Sequence, residues 1–411
     1  MSERKWNGEQ RLLAVQKLVF FIGLIVNVIL IVSPETTFPI YNNKTGPPPA
    51  AIQRKNSTTT SASISPSPIP PSSSQPIESG KKWVTIIIVC GNGETYAVKE
   101  MKPLLTSAIL LSSAPLHFVF VTDQGSSNRI RKIFQNELGY SKKPIKVDTW
   151  ILSESSVNTF ASLLDYNPLE HHSGIWGTSK LMLPWIVKDM DKAIMMDSDM
   201  LFLDDPARLW NEFANGHNSS TSSNNTTNTT EWMYKMPLHN PAAPFSICSC
   251  IMLVKLDQIR RSNTFPTLME EALATQPDWK GEENHLYNAP NGDQGLYWAM
   301  LANENGSRII APLPEQWNAD RCNNYFGVLL PTSEKAVSVL HNNCKEHRSY
   351  GSAHDYFIFY EKYRWHWLKG DSGSQHYYKV DVTVHPKETE RLQNLFQCLK
   401  EKRDFTLCKL S

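Results

Sequence analysis

Residues 193–210 read AIMMDSDMLFLDDPARLW. Four apolar residues, Ala193 to Met196, have the pattern of a buried strand, and the pattern stops at Asp197, Ser198 and Asp199. Asp205 and Pro206 then supply an N-cap and first-turn pair for a helix through Trp210 and Phe213. Open α/β sheets bind ligands outside the carboxyl ends of their strands, so the Asp-Ser-Asp turn falls where a site is expected.

Upstream, the same alternation continues from Trp83. Thr85 to Val89 (TIIIV) reads as a fully buried strand. Met101, Leu104, Leu105, Ala108 and Ile109 follow at helical spacing, with Pro103 marking a helix start nearby. His117 to Val121 is the next strand, running to Asp123, and Ile145 to Trp150 a third. Ser179 to Met190 is predicted helical, Ile251 to Val254 is a strand, and Asp293 to Asn303 is a helix carrying Asp293 and Gln294 in its first turn. Strands alternating with helices predict an α/β fold with a largely parallel sheet.

The flanking segments set the topology. Leu18 to Val32 (LVFFIGLIVNVILIV) is an apolar run that extends back to Leu12 if Lys17 reaches the interface. Arg4, Lys5 and Arg11 precede it, so residues 1–11 are read as a cytosolic tail and 12–32 as a single transmembrane signal anchor, with no small-residue cleavage pattern after it. Residues 33–80 are a disordered Ser/Pro/Thr-rich stem, and 81–411 form the luminal domain. Seven Asn-x-Ser/Thr acceptors, four of them between Asn218 and Asn228, agree with a luminal path. The formal net charge of +1 carries no polyelectrolyte signal, so nucleic acid is not an expected partner.

Seven cysteines leave at least one thiol unpaired. Spacing alone does not fix connectivity. Cys398 with Cys408 and Cys322 with Cys344 are the pairs favoured; Cys90 reads as a buried thiol, and Cys248 and Cys250 as thiols, because a bridge across a single residue is awkward. No CxxC pair or matching histidine pair accompanies them, so zinc is not expected.

AIMMDSDMLFL followed by DDPARLW resembles the metal-binding segment of glycosyltransferase family 8. HHSGIWGTSKLMLP, NGDQG, QWN (Gln316 to Asn318) and VLHNN, which contains His341, agree in order and rough spacing, and the likeness spans Trp83 to Gly370. The xylosyltransferase domain of the LARGE enzymes is the nearest likeness and the glucoside xylosyltransferases the next. The resemblance implies a GT-A fold, a mixed, mostly parallel sheet flanked by helices, and retaining transfer from a UDP-sugar, UDP-xylose above all. It implies Mn2+ held by Asp197, Asp199 and His341. Lys180 and Lys345 correspond to cations at the donor diphosphate, with His347 and Arg348 nearby, while Cys90, Gly91 and Asp123 match the uridine region. Asp293 and Gln294 match the catalytic pair at the donor sugar. The implied partners are the UDP-sugar donor, a glycan or glycoprotein acceptor and, through one helix, a Golgi or endoplasmic-reticulum membrane.

Each of these residues also has a plainer reading: a core or surface histidine, a solvated helix lysine, a helix-capping aspartate. Two departures carry more weight. Cys248, Ser249 and Cys250 replace an Asn-x-Gly segment that meets the donor sugar, and Gly295 replaces the second Asp of a DQD triplet. They motivate an alternative: a catalytically degenerate member that binds nucleotide-sugar or glycan and scaffolds another enzyme.

Overall fold

Six uninterrupted apolar or Thr positions, Val84–Val89 (β1), are all buried, because both faces of this strand are covered. Ile87 and Val89 point into one core cluster; Ile86 and Ile88 point into the other. The computed structural model describes residues 82–91, 96–163, 174–214, 232–237, 247–262, 267, 292–302, 306–320, 337–342, 352–373, 377–386, 388–402 and 408. All belong to the unit Ser72–Ser411. The predicted tail, anchor and stem, the sequon-rich loop, Cys322, Cys344, Lys345, His347 and Arg348 lie outside them. Among the described residues no helix is long and apolar enough to cross a membrane.

In chain order β1 is followed by α1 (Tyr96–Leu111), β2 (Leu116–Thr122), α2 (Gln124–Lys132), β3 (Tyr140–Ser141), β4 (Ile145–Ile151), α3 (Glu154–Leu163) and α4 (Gly174–Ser179). Then come β5 (Ala193–Met196), β6 (Met200–Phe202), α5 (Pro206–Asn211), β7 (Tyr234–Pro237), β8 (Ile251–Val254), α6 (Leu256–Arg261), α7 (Gly292–Ala302), β9 (Ile310–Leu313), β10 (Ala319–Asp320) and β11 (Val339–His341). α8 (Ser352–Lys362), β12 (Tyr378–Lys379), β13 (Asp381–His385) and α9 (Glu388–Lys402) complete the described elements used below.

The eight-stranded main sheet has the order β13-β4-β2-β1-β5-β8-β7-β9. β13, β4, β2, β1 and β5 pair in parallel, β8 runs antiparallel to both neighbours, and β7 pairs in parallel with β9. The mixed, mostly parallel sheet is therefore present. α3, α7 and α9 contribute Phe160, Tyr297 and Leu392 to the core on one face. α1, α2 and α5 contribute Leu104, Ile130 and Leu209 on the other. A separate three-stranded sheet, β10-β11-β6, sits beside this frame and is what positions the site.

Three local expectations need correction. Pro103 lies inside α1 rather than near its start, so the helix forgoes the one amide bond that proline cannot donate and keeps Met101, Leu104, Leu105 and Ala108 buried. The helix predicted over 179–190 is broken into α4, a 3-10 turn at Lys180–Met182 and one helical turn at Leu183–Ile186. Pro184 has no N–H to give the Lys180 carbonyl, and the Leu183 amide bonds it instead, tightening the turn. α5 ends at Asn211, short of Phe213, with Asp205 capping the Ala207 amide at 2.8 Å as expected.

The outer parallel edge is fastened electrostatically. Asp148 on β4, 3% exposed, meets His117 of β2 at 2.8 Å, Lys146 at 3.0 Å and His385 of β13 at 3.6 Å. Burial alone would raise its carboxyl pKa, yet His117 and Lys146 outweigh burial and bring it from 3.8 down to about 2. The folded state thus holds this proton more weakly than the unfolded one. The stabilisation is complete above the unfolded value and is lost as pH falls through the folded one, a term of about 2 kcal/mol. In chemical denaturation, Asp148→Asn is expected to cost about 2 kcal/mol at pH 6, with the gap to wild type closing between pH 4 and pH 2; a pH-independent gap would refute this assignment.

Candidate metal and donor site

β1, β2 and β5 are parallel, so their carboxyl ends open on one rim. Just past β5, the Asp197 amide donates to the Cys250 carbonyl at 2.8 Å. The chain turns through Ser198, whose hydroxyl donates to Glu100 Oε2 on α1 at 3.3 Å, and enters β6 at Met200. β11 lies antiparallel to β6 with His341 opposite Met200, and the Asn342 amide donates to the Asp199 carbonyl at 2.9 Å. The turn is therefore clamped from β8 on one side and β11 on the other.

That clamp brings distant residues together. His341 Nε2 is 3.5 Å from Asp199 Oδ1, and one ligand atom from each of Asp197, Asp199 and His341 lies within 4.8 Å of the others. His341 is 4% exposed, so its ring is fixed by packing on a strand. Two carboxylates and an imidazole fit a divalent cation that favours oxygen with some nitrogen, as Mn2+ does. Sequence reading grouped these three residues by resemblance, and the fold makes them neighbours.

Lys180 is the buried cation of the site. The Pro184-induced turn aims its ammonium inward, where it donates to the Ser249 carbonyl at 3.2 Å and stands 2.6 Å from Asp197 Oδ1 and 3.6 Å from Asp293 Oδ2. Burial would lower its pKa, but Asp197, Asp293 and Asp199 together reverse that and hold it above its ordinary value. Asp197 is pushed upward, first by desolvation and then by Asp199, with Lys180 and His341 opposing. Because 29% of the Asp197 side chain remains exposed, water tempers that rise. Asp293, 2% exposed at the start of α7, faces Lys180, and half-buried Gln294 follows it.

The remaining sequence candidates occupy the rim with other tasks in hand. Burial pushes the Cys90 thiol up to about 12, against its hydrogen bond to Thr122 and with Asp123 adding to the rise, so it is an ordinary buried thiol rather than a reactive one. Asp123 caps α2, accepting from the Ser126 amide at 2.8 Å and the Ser126 hydroxyl at 2.9 Å. Gly91 is required sterically: a Cβ there would stand 1.8 Å from Trp176 Cε2, and Trp176 belongs to the GIWG segment. Lys345 lies outside the described residues.

The cysteines require a correction. Cys248 and Cys250 are joined in a disulfide, not thiols, because the turn at Ser249 brings their Cα atoms to 5.2 Å, inside the ordinary range of about 4.4 to 6.8 Å. Cys398 and Cys408 are paired as expected, and Cys90 is free and buried. Glu100, Trp176 and Asn318 border the site without having been assigned to it from sequence. Trp176 and Asn318 sat in recognised motifs, whereas nothing in the sequence around Glu100 marked it.

A mixed α/β sheet whose rim gathers two aspartates, a histidine and a buried lysine offers ligands for a divalent cation beside a positive charge, and sequence comparison finds glycosyltransferases similar to this chain. The xylosyl- and glucuronyltransferase LARGE2s of Gallus gallus is 23% identical over 267 residues, covering 63% of this chain and 33% of that protein. LARGE2 of Homo sapiens is 22% identical over 273 residues, covering 63% and 34%. The chain thus spans about a third of the length of these curated relatives. Among solved structures, mouse xyloside xylosyltransferase 1 in its apo form aligns with a TM-score of 0.48 and 16% identity over 64% of this chain and 98% of that one. The galactosyltransferase LgtC with donor and acceptor sugar analogs aligns with a TM-score of 0.47 and 14% identity, over 71% and 98%. No family model matches the chain.

Two substitutions probe this rim. Lys180→Met leaves Asp197 and Asp293 without their shared cation and is expected to cost about 3 kcal/mol, the lower end for a broken buried pair because Asp197 is part-exposed; thermal unfolding measures it, and an unchanged midpoint would refute the pairing. Gly91→Ala is expected to cost about 1–3 kcal/mol through displacement of Trp176. Trp176→Leu in the same chain should recover part of that loss, and strict additivity of the two changes would show that the ring is not what Gly91 accommodates.

Proposed function

We propose that this chain is a retaining, divalent-metal-dependent glycosyltransferase that uses a UDP-sugar, with UDP-xylose as the preferred donor, and extends a glycan on secretory-pathway glycoproteins. In this reading it is anchored by residues 12–32 in a Golgi or endoplasmic-reticulum membrane, with residues 81–411 in the lumen. The observation that most supports it is the convergence of Asp197, Asp199 and His341 within 4.8 Å at the strand ends, beside the buried Lys180. Similarity to xylosyl- and glucuronyltransferases supports the class of donor.

Asp197, Asp199 and His341 would hold Mn2+, whose chemistry there is to neutralise the charge of the departing diphosphate. Lys180 supplies a second, permanent positive charge on the same rim, and its hydrogen bond to Ser249 keeps that charge aimed at the carboxylates when no donor is present. Cys90, Gly91 and Asp123 would border the uridine. Asp293 would accept hydrogen bonds from sugar hydroxyls, and Gln294 would lie near the anomeric carbon. Neither is an undisputed nucleophile, so retention is assigned to front-face substitution: the sugar–phosphate bond breaks, the acceptor oxygen adds to the same face, and the leaving phosphate oxygen takes the acceptor proton.

One observation favours the degenerate alternative. The Cys248–Cys250 disulfide stands where the family resemblance implies an Asn-x-Gly segment at the donor sugar, so that contact would be replaced by an apolar bridge. Hydrolysis of UDP-xylose, UDP-glucose, UDP-galactose and UDP-glucuronate by the full chain with Mn2+ separates the readings. UDP-xylose is expected to turn over fastest, and Asp199→Asn to lower turnover by about 100-fold while leaving the circular dichroism spectrum unchanged. Absence of both turnover and metal-dependent UDP binding would reject the transferase reading, and full activity in Asp199→Asn would reject the proposed metal ligand.

A further inference from the structure

His341 belongs to two donor sets at once. Besides the carboxylates of Asp197 and Asp199, it faces the sulfurs of Cys248 and Cys250, with one ligand atom of each of the three within 4.8 Å of the others. Cys248, Cys250 and His341 are 4%, 1% and 4% exposed, so this second set is enclosed. Asn318, 8% exposed, borders it: its Oδ1 lies 3.4 Å from Cys250 Sγ, while its Nδ2 is buried with no hydrogen-bond partner among the described residues. The expectation of no zinc rested on the absence of a CxxC pair in the sequence, a measure that does not register a histidine brought in by strand pairing. β11 pairing with β6 supplies from far along the chain the imidazole that local sequence lacks.

We propose that Cys248, Cys250 and His341 form a second metal site, for a thiophilic divalent cation such as Zn2+, that opens when the Cys248–Cys250 disulfide is reduced. The two sets differ in kind. Oxygen-rich Asp197/Asp199 selects hard cations, whereas two thiolates and an imidazole supply three of the four ligands of a tetrahedral zinc site, with Asn318 Oδ1 or water left to complete it. Opening the site is a two-electron exchange with a dithiol. One thiolate of the dithiol attacks a sulfur of the bridge, the S–S bond breaks, and the second thiol of the reductant resolves the mixed disulfide. Two cysteine thiols form and the reductant leaves as its own disulfide. Zinc then replaces the two thiol protons, which pass to solvent.

Zinc bound through Nε2, the nitrogen that faces Asp199, would take His341 from the carboxylate site. Oxidised chain therefore keeps the carboxylate site, and reduced chain in the presence of zinc loses it. This regulatory consequence rests on the transferase reading; the metal site itself does not.

The test uses the detergent-solubilised full chain, oxidised or reduced with dithiothreitol and desalted, with Co2+ as a spectroscopic probe and Zn2+ as competitor. Reduced chain is expected to bind Co2+ with a thiolate-to-cobalt charge-transfer band that Zn2+ bleaches, and oxidised chain to show none. Cys250→Ser should abolish the band, and the double variant Cys398→Ala, Cys408→Ala should keep it. Without relying on any variant, Zn2+ should slow iodoacetamide labelling of Cys248 and Cys250 at least about 10-fold in reduced wild type, read by peptide mass mapping. A band that survives Cys250→Ser, or labelling of those two thiols indifferent to Zn2+, would overturn the proposal. Loss of Mn2+-dependent UDP-sugar hydrolysis in the oxidised chain would sink the transferase reading and leave this site standing.

Discussion

Three carboxylates, Asp197, Asp199 and Asp293, converge at one rim of the sheet, and that arrangement is untenable without positive charge among them. Lys180 provides it, buried, 2.6 Å from one carboxylate and 3.6 Å from another. Like charges so close in a partly dry setting would otherwise drive protonation or separation of the groups. The cation's own place depends on a backbone detail: Pro184 denies the Lys180 carbonyl its helical partner, the chain tightens to a 3-10 turn, and the side chain is directed inward. A proline four residues along the chain thereby shapes the turn that carries the rim's buried cation.

The same economy governs the histidine. β11 spans only Val339–His341, too short to be stable alone, and gains its place by pairing with β6 and β10. Pairing fixes register, and register puts His341 opposite Met200, one residue after Asp199. A slip of one residue would turn the imidazole to the opposite face of that small sheet. The site is thus a consequence of strand pairing as much as of side-chain chemistry.

How much of this could be read from the chain follows from the same physics. β1, β2, β5 and β8 were legible because strands buried on both faces are written as mostly apolar runs, β4 from Ile145, Val147 and Trp150 among polar residues, and Asp205 with Pro206 announced α5. The Asp-Ser-Asp turn was legible by its position after such a run. β6, β10 and β11 were not, since two or three residues carry no periodicity, and His341 was identified only through motif resemblance. β13 escaped notice because it is half-buried and polar in part, and takes its place by parallel pairing with β4. Pro103 misled because burial of one helix face outweighs a single lost amide bond.

The Cys-Ser-Cys segment joins these strands of argument. It is the hinge between β8 and the site: Cys250 gives its carbonyl to Asp197, Ser249 gives its carbonyl to Lys180, and both sulfurs face His341. Because two of these contacts are made by backbone carbonyls, they do not depend on what the side chains are. That leaves the side chains at 248 and 250 open to change without dismantling the rim. Positions 248 and 250 therefore lie where side-chain chemistry, and redox state with it, is free to vary while the backbone contacts to Asp197 and Lys180 stay in place.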